Sequence, residues 1–211
     1  MNEKEITYEP IEQEMKIVKE EALANYTTEH KYSYDDVQYW LTDNRRWELI
    51  DGIPLLMASP SINHQLISKD LMFLFEIYLR GKSCQIIPPV DTVLSYNEGS
   101  DTYVIPDLII QCDRKKIKKG RIFGVPDLII EILSSSTSSR DKITKRHKYE
   151  KAGVKEFWIV NPKDKSIEVS VLNIKGIFTS RIYKIREIIK VSIFKDLTIN
   201  VADVFANPWL R

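Results

Sequence analysis

The sequence predicts an α/β fold: a mixed β-sheet flanked by helices, with a C-terminal β-meander. Three observations predict it. Two short Ile/Leu-rich runs, VIPDLIIQC (104–112) and VPDLIIEIL (125–133), read as buried strands, each opened by Pro-Asp. Proline suits the first position of a strand because it has no N–H to donate. From Ile62 to Leu79, the residues Leu66, Ile67, Leu71, Leu74, Phe75, Tyr78 and Leu79 recur at helical spacing. Then a serine-rich stretch opens a second helix ended by Gly153, and KEFWIVNP follows as another strand. Strands, a helix, more strands, a second helix and a further strand make a sheet with helices packed on it.

The elements follow in order. Residues 1–30 read as an acidic arm, with Ile11, Met15, Val18 and Ala22 on one face of a weak helix. Residues 31–211 read as one domain. Ser33 caps a short helix running to about Leu41, with acids in its first turn where the helix dipole favours them. WELIDGIPLLMA reads as two strands around the tight-turn dipeptide Asp51-Gly52. Ser59-Pro60-Ser61 breaks the chain and caps the 62–79 helix, and Gly81 stops that helix. CQIIPPVDTVLS carries strand signals, residues 166–194 suggest the terminal meander, and VADVFA closes the chain with a helical turn.

Composition narrows the function. In 211 residues, 43% are hydrophobic and 29% charged, enough for one core and a solvated surface. The 31 basic and 30 acidic side chains leave a net charge of +1, whereas a general polyanion binder is more basic. Neither a signal peptide nor a spanning segment is legible, so the expected location is the cytoplasm. Cys84 and Cys112 lie in apolar runs with no CxxC neighbourhood, which predicts reduced thiols and no zinc site.

The chemistry gathers on the two Pro-Asp strands. As an antiparallel pair, they bring Asp107, at the start of one, beside Glu131, near the end of the other. Asp127 lies four residues before Glu131, ~13 Å away at ~3.3 Å per strand residue, so it is read as a strand-opening residue at the far end. A carboxylate inside LIIEIL needs a partner. Either a buried Lys or Arg, or a metal with oxygen ligands, would serve. On the second helix Asp141, Lys145 and Tyr149 share a face. Lys145 either pairs with Asp141 in solvent or reaches back to the strand ends. Glu48, taken alone, reads as an exposed strand residue, and His64 as a capping or solvent-facing one. The run RKKIKKGR places six cations, Arg114, Lys115, Lys116, Lys118, Lys119 and Arg121, in eight positions of the loop joining the two strands. It is either a solvated loop or a phosphate-backbone contact.

Four ordered blocks, RRWELIDGIPLLMASPSINHQ, VIPDLIIQCD, GVPDLIIEILSSST and RDKITKRHKYEKAGVKEFWIVNP, resemble the Uma-two family, a restriction-endonuclease group of the PD-(D/E)XK superfamily. The resemblance spans about residues 32–205. It implies a restriction-endonuclease-like core whose Asp107 and Glu131 bind a divalent cation, usually Mg2+ (or Mn2+), with Glu48 in the same acidic cluster. His64 matches the family's helix histidine, and Asp141 and Tyr149 match its helix pattern. The E-x-K triplet reads Glu131-Ile132-Leu133, with leucine in the lysine position. Lys145 matches a lysine moved to the following helix. The implied activity is metal-dependent cleavage of DNA. The alternative is a nuclease-fold protein that binds nucleic acid or a protein partner without cutting. A homodimer would suit the cutting of both strands.

Overall fold

The computed structural model describes residues 31–36, 46–95, 100–134 and 139–210, and for 139–142 the backbone alone. The expected arm over residues 1–30 lies outside the described residues. So does most of the helix expected after Ser33, of which residues 34–36 form a turn. That turn is capped as its sequence predicts, with Ser33 and Asp36 exchanging backbone-to-side-chain hydrogen bonds.

Strands β1 (Trp47–Ile50) and β2 (Ile53–Leu56) form a hairpin. Its turn residues Asp51 and Gly52 both have positive φ, at 54° and 77°, as the tightest hairpin turn requires. Gly52 is needed for a second reason: a Cβ there would stand 2.7 Å from the Lys31 Cβ. Helix α1 (Ile62–Leu79) starts at Ser61, whose hydroxyl accepts the His64 N–H, and buries Ile67, Leu71, Phe75 and Leu79 along one stripe.

Strand β3 (Gln85–Ile87) ends at Pro88-Pro89, and the short β4 (Thr92–Val93) and β5 (Tyr103–Val104) follow. Strand β6 (Leu108–Gln111) carries the first Pro-Asp and β9 (Leu128–Ile132) the second. Between them the basic run is not a loop. It makes a 3-10 turn at Arg114–Lys116 and then the hairpin β7 (Ile117–Lys118) and β8 (Arg121–Phe123). Lys119 holds φ 51° in the turn, a position where sequence signals look for Gly or Asn.

Helix α2 (Ser139–Ala152) ends in a Schellman cap: Gly153 N–H donates to the Glu150 carbonyl and Val154 N–H to that of Tyr149. The chain returns as β10 (Glu156–Asn161), parallel to β9, then runs the antiparallel meander β11 (Ser166–Leu172) and β12 (Phe178–Lys184). A separate ribbon, β13 (Ile188–Lys190) with β14 (Thr198–Asn200), and the one-turn α3 (Val201–Val204) complete it.

Among the described residues the strands form two six-stranded sheets, β12-β11-β10-β9-β6-β3 and β2-β1-β5-β4-β8-β7, besides the ribbon. The first is the predicted mixed sheet. The second, built largely from two- and three-residue strands, was not foreseen. Side-chain alternation divides the first sheet cleanly. Leu108, Ile110, Leu128, Ile130, Trp158 and Val160 pack under α1 and the C-terminal ribbon. Ile109, Ile129, Phe157 and Ile159 pack against Tyr149 of α2 and against Ile50, Val104 and Ile122 of the second sheet. Asp107 and Glu131, also odd-numbered, therefore belong to the face between the sheets.

One expectation fails. Cys84 and Cys112 form a disulfide rather than remaining two thiols. The β3–β6 register pairs Gln85 with Gln111, which sets the flanking cysteines directly opposite one another. That long-range register is invisible in two cysteines 28 residues apart.

Candidate active site

The antiparallel register of β6 and β9 pairs Leu108 with Ile130 and Ile109 with Ile129. One step outward it sets Asp107 opposite Glu131 on the same face. Ile132 N–H donates to Asp107 Oδ2 at 2.8 Å, and His64 Nε2 lies 3.0 Å from that same oxygen. Glu131 Oε1 accepts from Tyr149 Oη at 2.7 Å and from Lys145 Nζ at 3.1 Å. Glu48 Oε1 accepts from the Lys145 ammonium at 2.7 Å and from Ile105 N–H at 2.9 Å. Each carboxylate thus commits one oxygen to the protein. Among the described residues its second oxygen has no protein hydrogen-bond donor.

The three carboxylates, with His64 and Lys145, line a cleft of about 280 Å³. Its floor holds Glu48, His64, Asp107, Glu131 and Lys145, and its walls include Ile50, Leu55, Leu56, Met57 and Pro60. The cleft opens between the β1–β2 hairpin, the N-terminal turn of α1 and the end of β9.

Burial sets the electrostatics. The Glu131 side chain is 15% exposed. Desolvation pushes its carboxyl up to about 7; the neighbouring Asp107 and Glu48 charges push the same way, against the pull of Lys145 and the Tyr149 hydrogen bond. Burial alone would lower Lys145, but Glu131 and Glu48 outweigh it, and its ammonium is held above the usual range. Burial and then the Glu131 charge raise Tyr149, so it remains a phenol and a donor. Breaking such a buried ion pair by removing one partner costs ~3–5 kcal/mol, because the other charge is left uncompensated.

Asp107, Glu131, Glu48, Lys145, Tyr149 and His64 therefore come together. Two readings made from isolated residues are corrected. Glu48 is 5% exposed, because β1 lies inside the second sheet and its outward face meets α2. His64 is 7% exposed, because the first turn of α1 leans on the start of β6. Its backbone is capped by Ser61, and its ring turns inward to Asp107. Asp141 stands one turn before Lys145 on α2, and its side chain lies outside the described residues.

The basic run does not line the cleft. Its hairpin occupies the opposite edge of the second sheet from β1–β2. Arg121 pairs with Asp91 at 2.9 Å, and Lys116 Nζ donates to the Val125 carbonyl at 2.6 Å. Sequence reasoning missed Arg46, which lines the cleft. It lies two residues before Glu48, so strand alternation from Glu48 could have found it. It also missed the ion pair of Lys148 with Asp51, which ties α2 to the β1–β2 turn.

Among the described residues no three His, Cys, Asp or Glu side chains stand together closely enough to hold a metal ion as they are. Lys145 bridges two of the candidates. No helix there is long and apolar enough to cross a membrane.

The chain is similar to a solved structure from Anabaena variabilis described as "a putative nuclease belonging to DUF820". The TM-score is 0.68 at 16% identity, covering 82% of this chain and 97% of that one, which is a likeness of fold. It is also 31% identical, over 113 residues, to "Uncharacterized protein slr1290" of a Synechocystis strain. That match covers 53% of this chain and 58% of the relative's length. Residues 33–202 match the family described as "Uma2: Putative restriction endonuclease", and with that span the chain belongs to the Uma2 family.

Proposed function

We propose that this chain is a divalent-metal-dependent endonuclease that hydrolyses phosphodiester bonds in DNA. Asp107, Glu131 and Glu48 would hold Mg2+ or Mn2+. The observation that carries this reading is the pattern of carboxylate oxygens. Each acid has one oxygen fixed by protein donors and one left without a protein donor among the described residues. A set of hard oxygen donors, oriented by outer partners such as His64 and Tyr149, fits a hard divalent cation. When bound, the cation would polarise the phosphate and make a coordinated water more acidic. The protein's own part is positional and electrostatic. His64 and the Ile132 N–H orient Asp107, Tyr149 orients Glu131, and the Lys145 ammonium offsets charge developing on the phosphate.

A second reading has support of its own. Lys145 already pairs with both Glu48 and Glu131, and the described acids are not gathered as a ligand set. A protein that binds nucleic acid or a partner without cutting would suit that arrangement.

Incubation of the purified protein with supercoiled, linear and single-stranded DNA, with and without Mn2+ or Mg2+, separates the two. The first reading expects metal-dependent cleavage that Asp107→Ala abolishes while the far-UV spectrum is unchanged. No cleavage by the folded wild-type protein under any of these conditions gives the second reading the field.

A further inference from the structure

We infer that Lys145 is the resident cation of this site: it closes the acidic cluster in the metal-free protein and gives up its carboxylates when a divalent cation binds. The inference rests on the metal-dependent reading above. Three observations carry it. The Lys145 ammonium bridges Glu48 and Glu131 at 2.7 and 3.1 Å, so one positive charge holds together acids from two different sheets. Its side chain is 12% exposed, and both carboxylates are similarly shielded, so the pairing is made largely out of water. Among the described residues the acids are not gathered as a ligand set, and the bridge lies between two of them.

Two cations competing for the same buried carboxylates exclude each other electrostatically. Lys145 therefore swings its ammonium from the carboxylates into the cleft, where a phosphate would meet it. Lysine suits such a movement because its charge is a compact point on a flexible stem. Charging the site and presenting the lysine become one linked event. In the metal-free state the lysine supports the fold instead.

The test is Mn2+ calorimetry on wild type, Lys145→Met and Lys145→Gln at pH 8.0, with folding checked by circular dichroism. The second variant keeps a polar side chain should the first not fold. The inference expects both variants to bind Mn2+ roughly tenfold more tightly, or more, because the competing charge is gone. It also expects Lys145 of the wild type to resist acylation without metal and to react with Mn2+ present, read by peptide mass spectrometry. Unchanged or weaker Mn2+ affinity in the variants, or Lys145 labelling indifferent to metal, overturns this inference and leaves the metal-dependent reading standing. No Mn2+ binding by the wild type overturns both.

Discussion

The two ends of the β6–β9 pair are built from nearly the same sequence and do different work. IPDLIIQ opens one strand and VPDLIIE the other. The antiparallel register relates them by a local two-fold. Asp107 Oδ2 accepts the N–H of Ile132 at the end of β9 (2.8 Å), and Asp127 Oδ2 accepts that of Cys112 at the end of β6 (2.9 Å). The ends differ in what stands opposite and around. Asp107 faces Glu131, with His64, Tyr149, Lys145 and Glu48 closing in. Asp127 faces Gln111, and its remaining oxygen takes Lys155 at 2.6 Å. Among the described residues, one Pro-Asp therefore keeps an oxygen without a protein donor in a cleft, while the other has both oxygens paired. A Pro-Asp motif fixes where a strand opens and which N–H it caps. Whether the carboxylate is then available for chemistry depends on its neighbours.

The largest effect should come from making the first end like the second. Glu131→Gln recreates the Asp–Gln pairing seen at Asp127, and metal-dependent cleavage should fall by at least ~100-fold, measured on plasmid DNA. In the wild type, Mn2+ affinity should fall about tenfold per unit as pH drops below about 7, because a proton on Glu131 competes with the cation. Above that pH it should level off, and calorimetry from pH 5.5 to 8.5 reads both limbs. The same shift has a stability consequence. Glu131 has its pKa raised in the fold, so its contribution is fully present below the unfolded value of about 4.5 and is lost as pH rises through about 7. A binding curve flat across this range would remove Glu131 from the ligand set.

A smaller effect is expected at His64, which the first end has and the second lacks. His64→Ala should weaken Mn2+ binding roughly 10–100-fold by releasing Asp107, and His64→Gln should recover part of it by restoring a donor. Equal affinity in all three proteins would make the histidine a packing residue. Smallest for activity is Asp127→Asn. It should leave metal binding and cleavage near wild type while lowering unfolding free energy by ~1–3 kcal/mol through the weakened Cys112 contact, read by urea denaturation. The Lys155 pairing adds little to that, because the lysine side chain is 67% exposed. A large loss of cleavage in Asp127→Asn would break the division between the two ends.

What could be read from the chain alone was local or nearly so. The apolar spacing of 62–79, the Ser61 cap, the Asp51-Gly52 turn and the glycine stops of both long helices came through, because each depends on residues within a few positions. The pairing of Asp107 with Glu131 also came through, because a short connection leaves two adjacent strands few ways to pair. Helical periodicity put Lys145 and Tyr149 on one face of α2, and the family resemblance placed that face toward the acids.

Only the tertiary structure decided the rest. Glu48 and His64 look solvent-facing within their own elements. They are buried because a second sheet and the first turn of α1 close over them; the family resemblance placed Glu48 with the acids, but no local pattern records that approach. Strands β7 and β8 of the second sheet escaped notice because two or three residues carry no usable period. The Cys84–Cys112 bond depends on a register set across the β3–β6 pair. The basic run, read as a solvated loop or a phosphate-backbone contact, lies partly in the β7–β8 hairpin at the far edge of the second sheet. The sequence by itself determined the elements and which residues share a face, because those follow from backbone geometry. Which faces meet, and so which carboxylates stand in one cleft, was decided by long-range packing.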